Sequence, residues 1–72
     1  GMTDLNSALL AAHDRGDRAA MVALYRAAAD TDDPDRRAFF LTQALVFALE
    51  AGHADAAAIR AELVAMGRET PN

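Results

Sequence analysis

The sequence predicts an all-α protein made of two helix-turn-helix hairpins, which is four antiparallel helices in all. Three observations lead to this fold class. Apolar residues recur at spacings of three and four along most of the chain. Glycines and aspartates separate these stretches at places where helices commonly end and begin. Alanine, which has the highest helix propensity, is the commonest residue.

The first predicted hairpin pairs helix 1 with helix 2. Helix 1 covers about residues 4–15 with Thr3 as its N-cap, and Gly16 ends it because glycine readily adopts the positive φ of a helix C-terminus. Helix 2 covers about residues 18–30 and begins behind an Asp17 N-cap. The inward apolar stripes of these helices are Leu5, Ala8, Leu9, Ala12, Met21, Leu24, Tyr25 and Ala28.

The second predicted hairpin pairs helix 3 with helix 4. Asp33 caps helix 3, and Pro34 suits the first helical position because its missing N–H is not needed there. Helix 3 ends at Gly52, and helix 4 covers about residues 54–67. The inward residues of this hairpin are Phe40, Leu41, Ala44, Leu45, Ala48, Ile59, Leu63 and Met66.

The whole chain is short enough for a single domain. We place its two units at about residues 4–30 and 34–67. Gly1 is interpreted as the remainder of a removed purification tag and residues 69–72 as a frayed tail. The two units repeat each other at an offset of 36 residues, and the pairs that carry this prediction are Leu5 with Leu41, Leu9 with Leu45, and Gly16 with Gly52.

Each unit resembles a tetratricopeptide-like repeat, and the related Sel1-like repeats are also similar. In such repeats a glycine closes the first helix, and small residues let the second helix pack closely. Here the matching residues are Gly16, Asp17, Ala20, Leu24 and Ala27 in the first unit and Gly52, Ala57 and Ala61 in the second. The chain departs from the pattern in three ways. The spacing from the glycine to the small residues that follow it is one residue short. The proline expected near the end of each unit occurs only once, as Pro34, and Leu5 and Leu41 stand where an early aromatic residue is common.

The resemblance implies a concave groove lined by the first helix of each unit. When each unit is aligned with the family on its glycine, Gly16 or Gly52, the positions that line this groove are Asn6, Leu10 and His13 of helix 1 and Phe39, Thr42, Val46 and Leu49 of helix 3.

Helix 3 independently carries more apolar residues than one buried stripe requires. A helix that is apolar nearly all round is either fully buried or has a second interface. The surplus residues are Phe39, Val46, Phe47 and Leu49. They either complete a compact core or form a partner-binding surface, and the small size of the chain favours the surface.

Composition and charge exclude several classes of function. The net charge of −4 and the pI of about 4.8 argue against nucleic acid and anionic membranes as partners. No apolar run reaches the roughly 18 residues of a membrane-spanning helix. Because the start of the chain lacks a basic leader, we expect a cytoplasmic protein. Basic residues that are all arginine, together with abundant alanine, suggest a GC-rich bacterial genome.

No catalytic or metal-binding pattern is visible in the sequence. His13 and His53 have no ligand partner at helical spacing. The acidic run over residues 30–35 lacks the glycine and glutamate that a calcium loop requires. Ser7 is not in a nucleophile elbow, and the chain has no cysteine. We therefore expect no enzyme activity, no cofactor and no metal.

These observations favour a protein–protein interaction or self-assembly module that binds a protein partner, a second copy of itself, or both. Two repeats leave apolar faces uncovered, because stacks of at least three normally bury enough surface. We expect a homodimer that forms through helix 3. The alternative is a regulatory helical protein that binds a small apolar ligand between its hairpins, in a pocket lined by phenylalanine and methionine residues.

Overall fold

The structure is a computed structural model that describes residues 2–68, with side chains from residue 5 onward. The described chain contains four α-helices and no β-strand, which confirms the all-α prediction. The predicted tag remnant at Gly1 and the predicted tail at residues 69–72 lie outside the described residues. The helices are α1 (Met2–Arg15), α2 (Arg18–Ala28), α3 (Pro34–Ala51) and α4 (Ala56–Ala65).

Aspartate side chains begin α2 and α3, as predicted. The Oδ1 atom of Asp17 accepts a hydrogen bond from the backbone N–H of Ala20 at 3.0 Å. The Oδ1 atom of Asp33 accepts from the N–H groups of Asp35 at 3.0 Å and Arg36 at 3.3 Å. These bonds satisfy donors in the first helical turn that have no partner inside the helix.

Gly16 and Gly52 end α1 and α3 in the same way. Their φ angles are +65° and +62°, in the left-handed region that favours glycine. The residue after each glycine donates its N–H to an alanine carbonyl five positions earlier, Ala12 at 2.9 Å and Ala48 at 2.8 Å. This pattern is a Schellman motif, so the predicted role of both glycines is confirmed.

Two predicted helix boundaries in the first hairpin are wrong. Thr3 lies inside α1 and is not its N-cap, since the helical backbone begins at Met2. Threonine does not interrupt a helix, so the spacing pattern alone does not mark where α1 begins. Helix α2 ends at Ala28. The N–H of Ala29 is shared between the carbonyls of Tyr25 (3.0 Å) and Arg26 (3.2 Å), and the N–H of Asp30 bonds only three residues back, to Ala27 at 3.2 Å, so the chain leaves the α-helical pattern here.

Helix α4 is shorter than predicted at both ends. It begins at Ala56, because His53 organises a longer turn in which its Nδ1 accepts the N–H of Asp55 at 3.0 Å. It ends at Ala65, because Gly67 adopts a φ of +73° and the N–H of the next residue bonds to the carbonyl of Leu63 at 2.9 Å. Gly67 therefore forms the same kind of turn as Gly16 and Gly52.

The hydrophobic core lies between α2, α3 and α4. Within the described chain, backbone packing joins consecutive helices only, and it is most extensive between α2 and α3. Among residues 5–15 of α1, only Ala12 is fully buried. The core side chains are Val22, Ala29, Ala38, Leu41, Ala44, Leu45, Ala48, Ile59 and Leu63.

The predicted inward faces are largely confirmed. Ile59 and Leu63 are buried, and Met66 packs partly buried against the core. On α2, Met21 is buried, while the other predicted inward residues of that helix are half-buried. Val22 is buried although it lay outside the predicted stripe, because α2 packs against both α1 and α3.

The 36-residue repeat is preserved between α1 and α3 but shifts between α2 and α4. Asp17 and Asp55 precede the second helices and lie 38 residues apart, as do the buried Met21 and Ile59. The two additional residues are in the turn that contains His53.

The four helices form a flat body whose Cα atoms extend over 33 × 28 × 12 Å. Two complete stacked layers of helices would need about 13–15 Å between their outermost Cα atoms, because the Cα cylinder of a helix is about 4.6 Å across and packed axes lie about 8–10 Å apart. Helix α3 can therefore have both neighbours in place and still present one face to solvent.

Candidate functional site

One side of α3 is buried and another is open. Leu41 and Leu45 are 2% and 6% exposed, whereas Phe39, Val46 and Leu49 are 57%, 44% and 55% exposed. The exposed residues recur with the spacing of a helix face, which also includes the exposed Thr42. We call this set the α3 stripe: Phe39, Thr42, Val46 and Leu49.

The exposed residues of α1 occupy the same helical positions, 36 residues earlier. Leu10 is 66% exposed and is the repeat equivalent of Val46. Asn6 and His13 are also exposed. We refer to the α3 stripe together with Asn6, Leu10 and His13 as the α1–α3 face.

An aromatic contact joins the two helices of this face. The ring of His13 meets the ring of Phe47 edge-on, with centroids 5.8 Å apart. Phe47 in turn stacks on Tyr25 of α2 at 5.8 Å and an interplanar angle of 8°. Phe47 is half-buried and packs on the core, so its main role is to support the face from beneath.

The polar and aromatic members of the α3 stripe are held by contacts within the chain. The hydroxyl of Thr42 donates to the carbonyl of Ala38 at 2.8 Å, so its donor is already satisfied. The ring of Phe39 meets that of Phe40 at 5.4 Å and 71°, and Phe40 packs against the core. The stripe is therefore predominantly apolar along its length.

Charged residues flank the two ends of the α3 stripe. Arg36 lies one turn before Phe39 and is exposed. Glu50 follows the stripe and pairs with Arg18 at 3.3 Å, with both side chains about half exposed. Arg36 and Glu50, the charged residues that flank the stripe on α3 itself, therefore carry opposite signs.

A shallow apolar cleft lies beside the end of the stripe. Its volume is about 240 Å³, and it is lined by Leu49, Ala56, Ala57 and Arg60. The sequence analysis missed this cleft. Its only sequence signal is the run of small residues at the start of α4, which leaves space beside α3.

A network of ion pairs connects α2, α3 and the start and middle of α4. Arg26 binds Glu62 at 2.7 Å and Asp55 at 3.3 Å, and Arg37 lies 3.8 Å from Glu62. Two open clefts of about 450 and 220 Å³ border this network, and Arg37 and Glu62 line both. These charges connect three helices, which is a structural role that the sequence analysis had not foreseen.

The chain was compared with known proteins through family models, curated sequences and solved structures. None of these comparisons found a match. The resemblance of the glycine-centred units to tetratricopeptide-like repeats therefore stays a prediction, and function is inferred from the chemistry of the α1–α3 face.

The two histidines have different local environments. His13 belongs to the exposed face, while His53 is a turn residue that accepts a backbone hydrogen bond. Within the described residues, no three His, Cys, Asp or Glu side chains are grouped to hold a metal ion. None of the helices over the same residues combines the length and the apolar character that crossing a membrane requires.

Proposed function

We propose that the chain is a protein–protein interaction module without catalytic activity, and that it binds its partner through the α1–α3 face. The observation that carries the proposal is the row of Phe39, Val46 and Leu49, each exposed by 44% or more, on a helix whose other side is core. Single exposed apolar residues are common on proteins, whereas a contiguous group marks a site of association.

The α3 stripe is supported well enough to bind without first being ordered. Asp33 caps the start of α3, Gly52 closes its end, and Leu41 and Leu45 anchor its inner side. A surface that is already in its bound conformation loses little entropy on binding. Complete burial of a large apolar side chain is worth about 1.5–3 kcal/mol, so each half-exposed member would contribute about 1 kcal/mol.

The shape of the stripe favours a partner helix or another flat apolar surface. From Phe39 to Leu49 the stripe is about 15 Å long, at a rise of about 1.5 Å per residue. Its spacing complements the apolar face of an amphipathic helix. Between the hairpins, by contrast, Phe47, Tyr25 and Phe40 pack on one another, which favours this function over the binding of a small apolar ligand there.

The proposal is tested by capture experiments with matched surface variants. Phe39→Asp and Val46→Asp each place a charge in the α3 stripe, and Ala58→Asp places one on the exposed side of α4 as the control. We expect the wild type and the control to retain the same proteins from a lysate of the source cells, and the two stripe variants to lose them. Circular dichroism verifies that all variants are helical. Identical capture by all four proteins would contradict the proposed face.

A further inference from the structure

We infer that the occupant of the α3 stripe is a second copy of the chain, packed antiparallel to the first across a two-fold axis near Thr42. The inference rests on the proposed function, because it names the partner for the same face. Oligomerisation is a common way for a domain of this size to cover the apolar surface that its own chain leaves open.

A two-fold axis at the midpoint of α3, between Thr42 and Gln43, pairs the exposed residues of the helix in a definite register. In such a contact each residue faces a fixed partner, and the pairing is reciprocal. With the axis between Thr42 and Gln43, Phe39 faces Val46 of the second copy, and Val46 faces its Phe39. These two exposed apolar side chains then cover each other, which neither can do within one chain.

Charge favours the antiparallel over the parallel arrangement. Antiparallel packing brings Arg36 of each copy near Glu50 of the other, so two opposite-charge pairs form at the rim. Parallel packing would place Arg36 beside Arg36 and Glu50 beside Glu50, which is unfavourable. Asp35, which lies opposite Glu50 in this register, pairs with Arg68 at 2.6 Å, and Arg36 is in none of the ion pairs among residues 5–68. Glu50 already binds Arg18, but its exposed carboxylate can accept a second donor.

The surface area that a stable dimer must bury shows how much of the α1–α3 face has to take part in the contact. A stable interface covers about 800 Å² on each partner, which is about a sixth of the 4560 Å² surface of this chain. A stripe about 15 Å long is too small to provide that area alone. Leu10 on one flank and the apolar cleft beside Leu49 on the other must therefore be covered as well.

Cysteine cross-linking tests the register, because the natural sequence has no cysteine. Thr42→Cys places a thiol beside the proposed axis, so that the two introduced thiols are neighbours across it, and Ala58→Cys places one on the exposed side of α4 as the control. Under mild oxidation we expect a disulfide-linked dimer, with twice the 7.6 kDa mass of the chain, for Thr42→Cys alone. No dimer from Thr42→Cys, or equal cross-linking of both variants, would overturn the inference.

Charge reversal tests the direction of packing. We expect Arg36→Glu and Glu50→Arg each to weaken dimerisation by about tenfold in sedimentation equilibrium, and the double variant to recover it because the pairs are restored with exchanged signs. Glu50→Arg also removes the pair with Arg18, so thermal unfolding of each variant is measured to show whether the fold itself is destabilised. Failure of the double variant to recover dimerisation contradicts the antiparallel arrangement.

The wild-type chain provides the test that separates the two proposals. We expect light scattering to detect a dimer at micromolar concentrations. A chain that is monomeric under these conditions, yet captures other proteins in a manner lost in Phe39→Asp, would overturn self-pairing and leave the interaction function intact. A monomeric chain whose capture is unaffected by Phe39→Asp would count against both.

Discussion

His13 of α1 contacts Phe47 of α3 edge-to-face, with ring centroids 5.8 Å apart, although the two helices have no close backbone packing within the described chain. The rings therefore connect the first helices of the two hairpins across α2. Because Phe47 also stacks on Tyr25, this contact ties the exposed face to the packing beneath it.

A double-mutant cycle would measure how strongly this contact couples the two hairpins. We expect His13→Ala and Phe47→Leu each to destabilise the chain, with a coupling free energy of about 0.5–1 kcal/mol, as for other aromatic pairs. Urea unfolding of the four proteins followed by circular dichroism gives the value. If the losses of unfolding free energy in the two single variants add up to the loss in the double variant, the two rings do not stabilise each other.

Alanine at Gly52 should destabilise the protein through the backbone alone. A Cβ atom at this position would meet no other atom within 4 Å, but φ is +62°. We expect Gly52→Ala to lower the free energy of unfolding by about 1 kcal/mol, and Gly52→Asn to lower it less because asparagine tolerates this region better. Thermal unfolding distinguishes them. Equal stability of Gly52→Ala and the wild type would contradict this account.

Enlarging a buried alanine should disrupt the packing beneath α3. Ala48 has no exposed surface and belongs to the core. We expect Ala48→Leu to lower the free energy of unfolding by about 1–3 kcal/mol through overpacking. The same change at the exposed Ala58 is the matched control and should alter stability by less than about 0.5 kcal/mol. Similar unfolding midpoints for both variants would show that the space around Ala48 can relax.

Removal of the Glu62 charge should weaken the ion-pair network. Its side chain is about one-third exposed and contacts Arg26 at 2.7 Å and Arg37 at 3.8 Å. We expect Glu62→Gln to destabilise the chain by about 1 kcal/mol, less at high salt. Arg15→Gln removes a more exposed pair with Asp17 and should have a smaller effect. Denaturant titrations at low and high salt measure the stability of both variants. An equal loss of unfolding free energy in Glu62→Gln and Arg15→Gln would contradict a particular role for the network.

Local features of the fold were predictable because their causes are local. The Asp17 and Asp33 caps and the turns at Gly16 and Gly52 depend on neighbouring backbone groups, and the structure contains all four. The start of α1 was missed because Thr3 can serve as a cap or continue a helix.

Other features depend on residues that are distant in sequence. Glu62 lies 36 residues after Arg26, and no spacing rule connects them. The cleft beside Leu49 lies where the first turn of α4 meets the end of α3, so it depends on how these two helices pack. The sequence also placed Phe47 among the surplus apolar residues without indicating that Tyr25 would cover one side of it.

By itself the sequence determined that four helices form, approximately where each ends, and which residues share a helical face, since these follow from short-range hydrogen bonding and periodicity. Only the tertiary structure decided which of the surplus apolar residues of α3 stay exposed. Exposure depends on where the neighbouring helices lie, so the difference between the half-buried Phe47 and the exposed Val46 appears only once α2 has packed against α3.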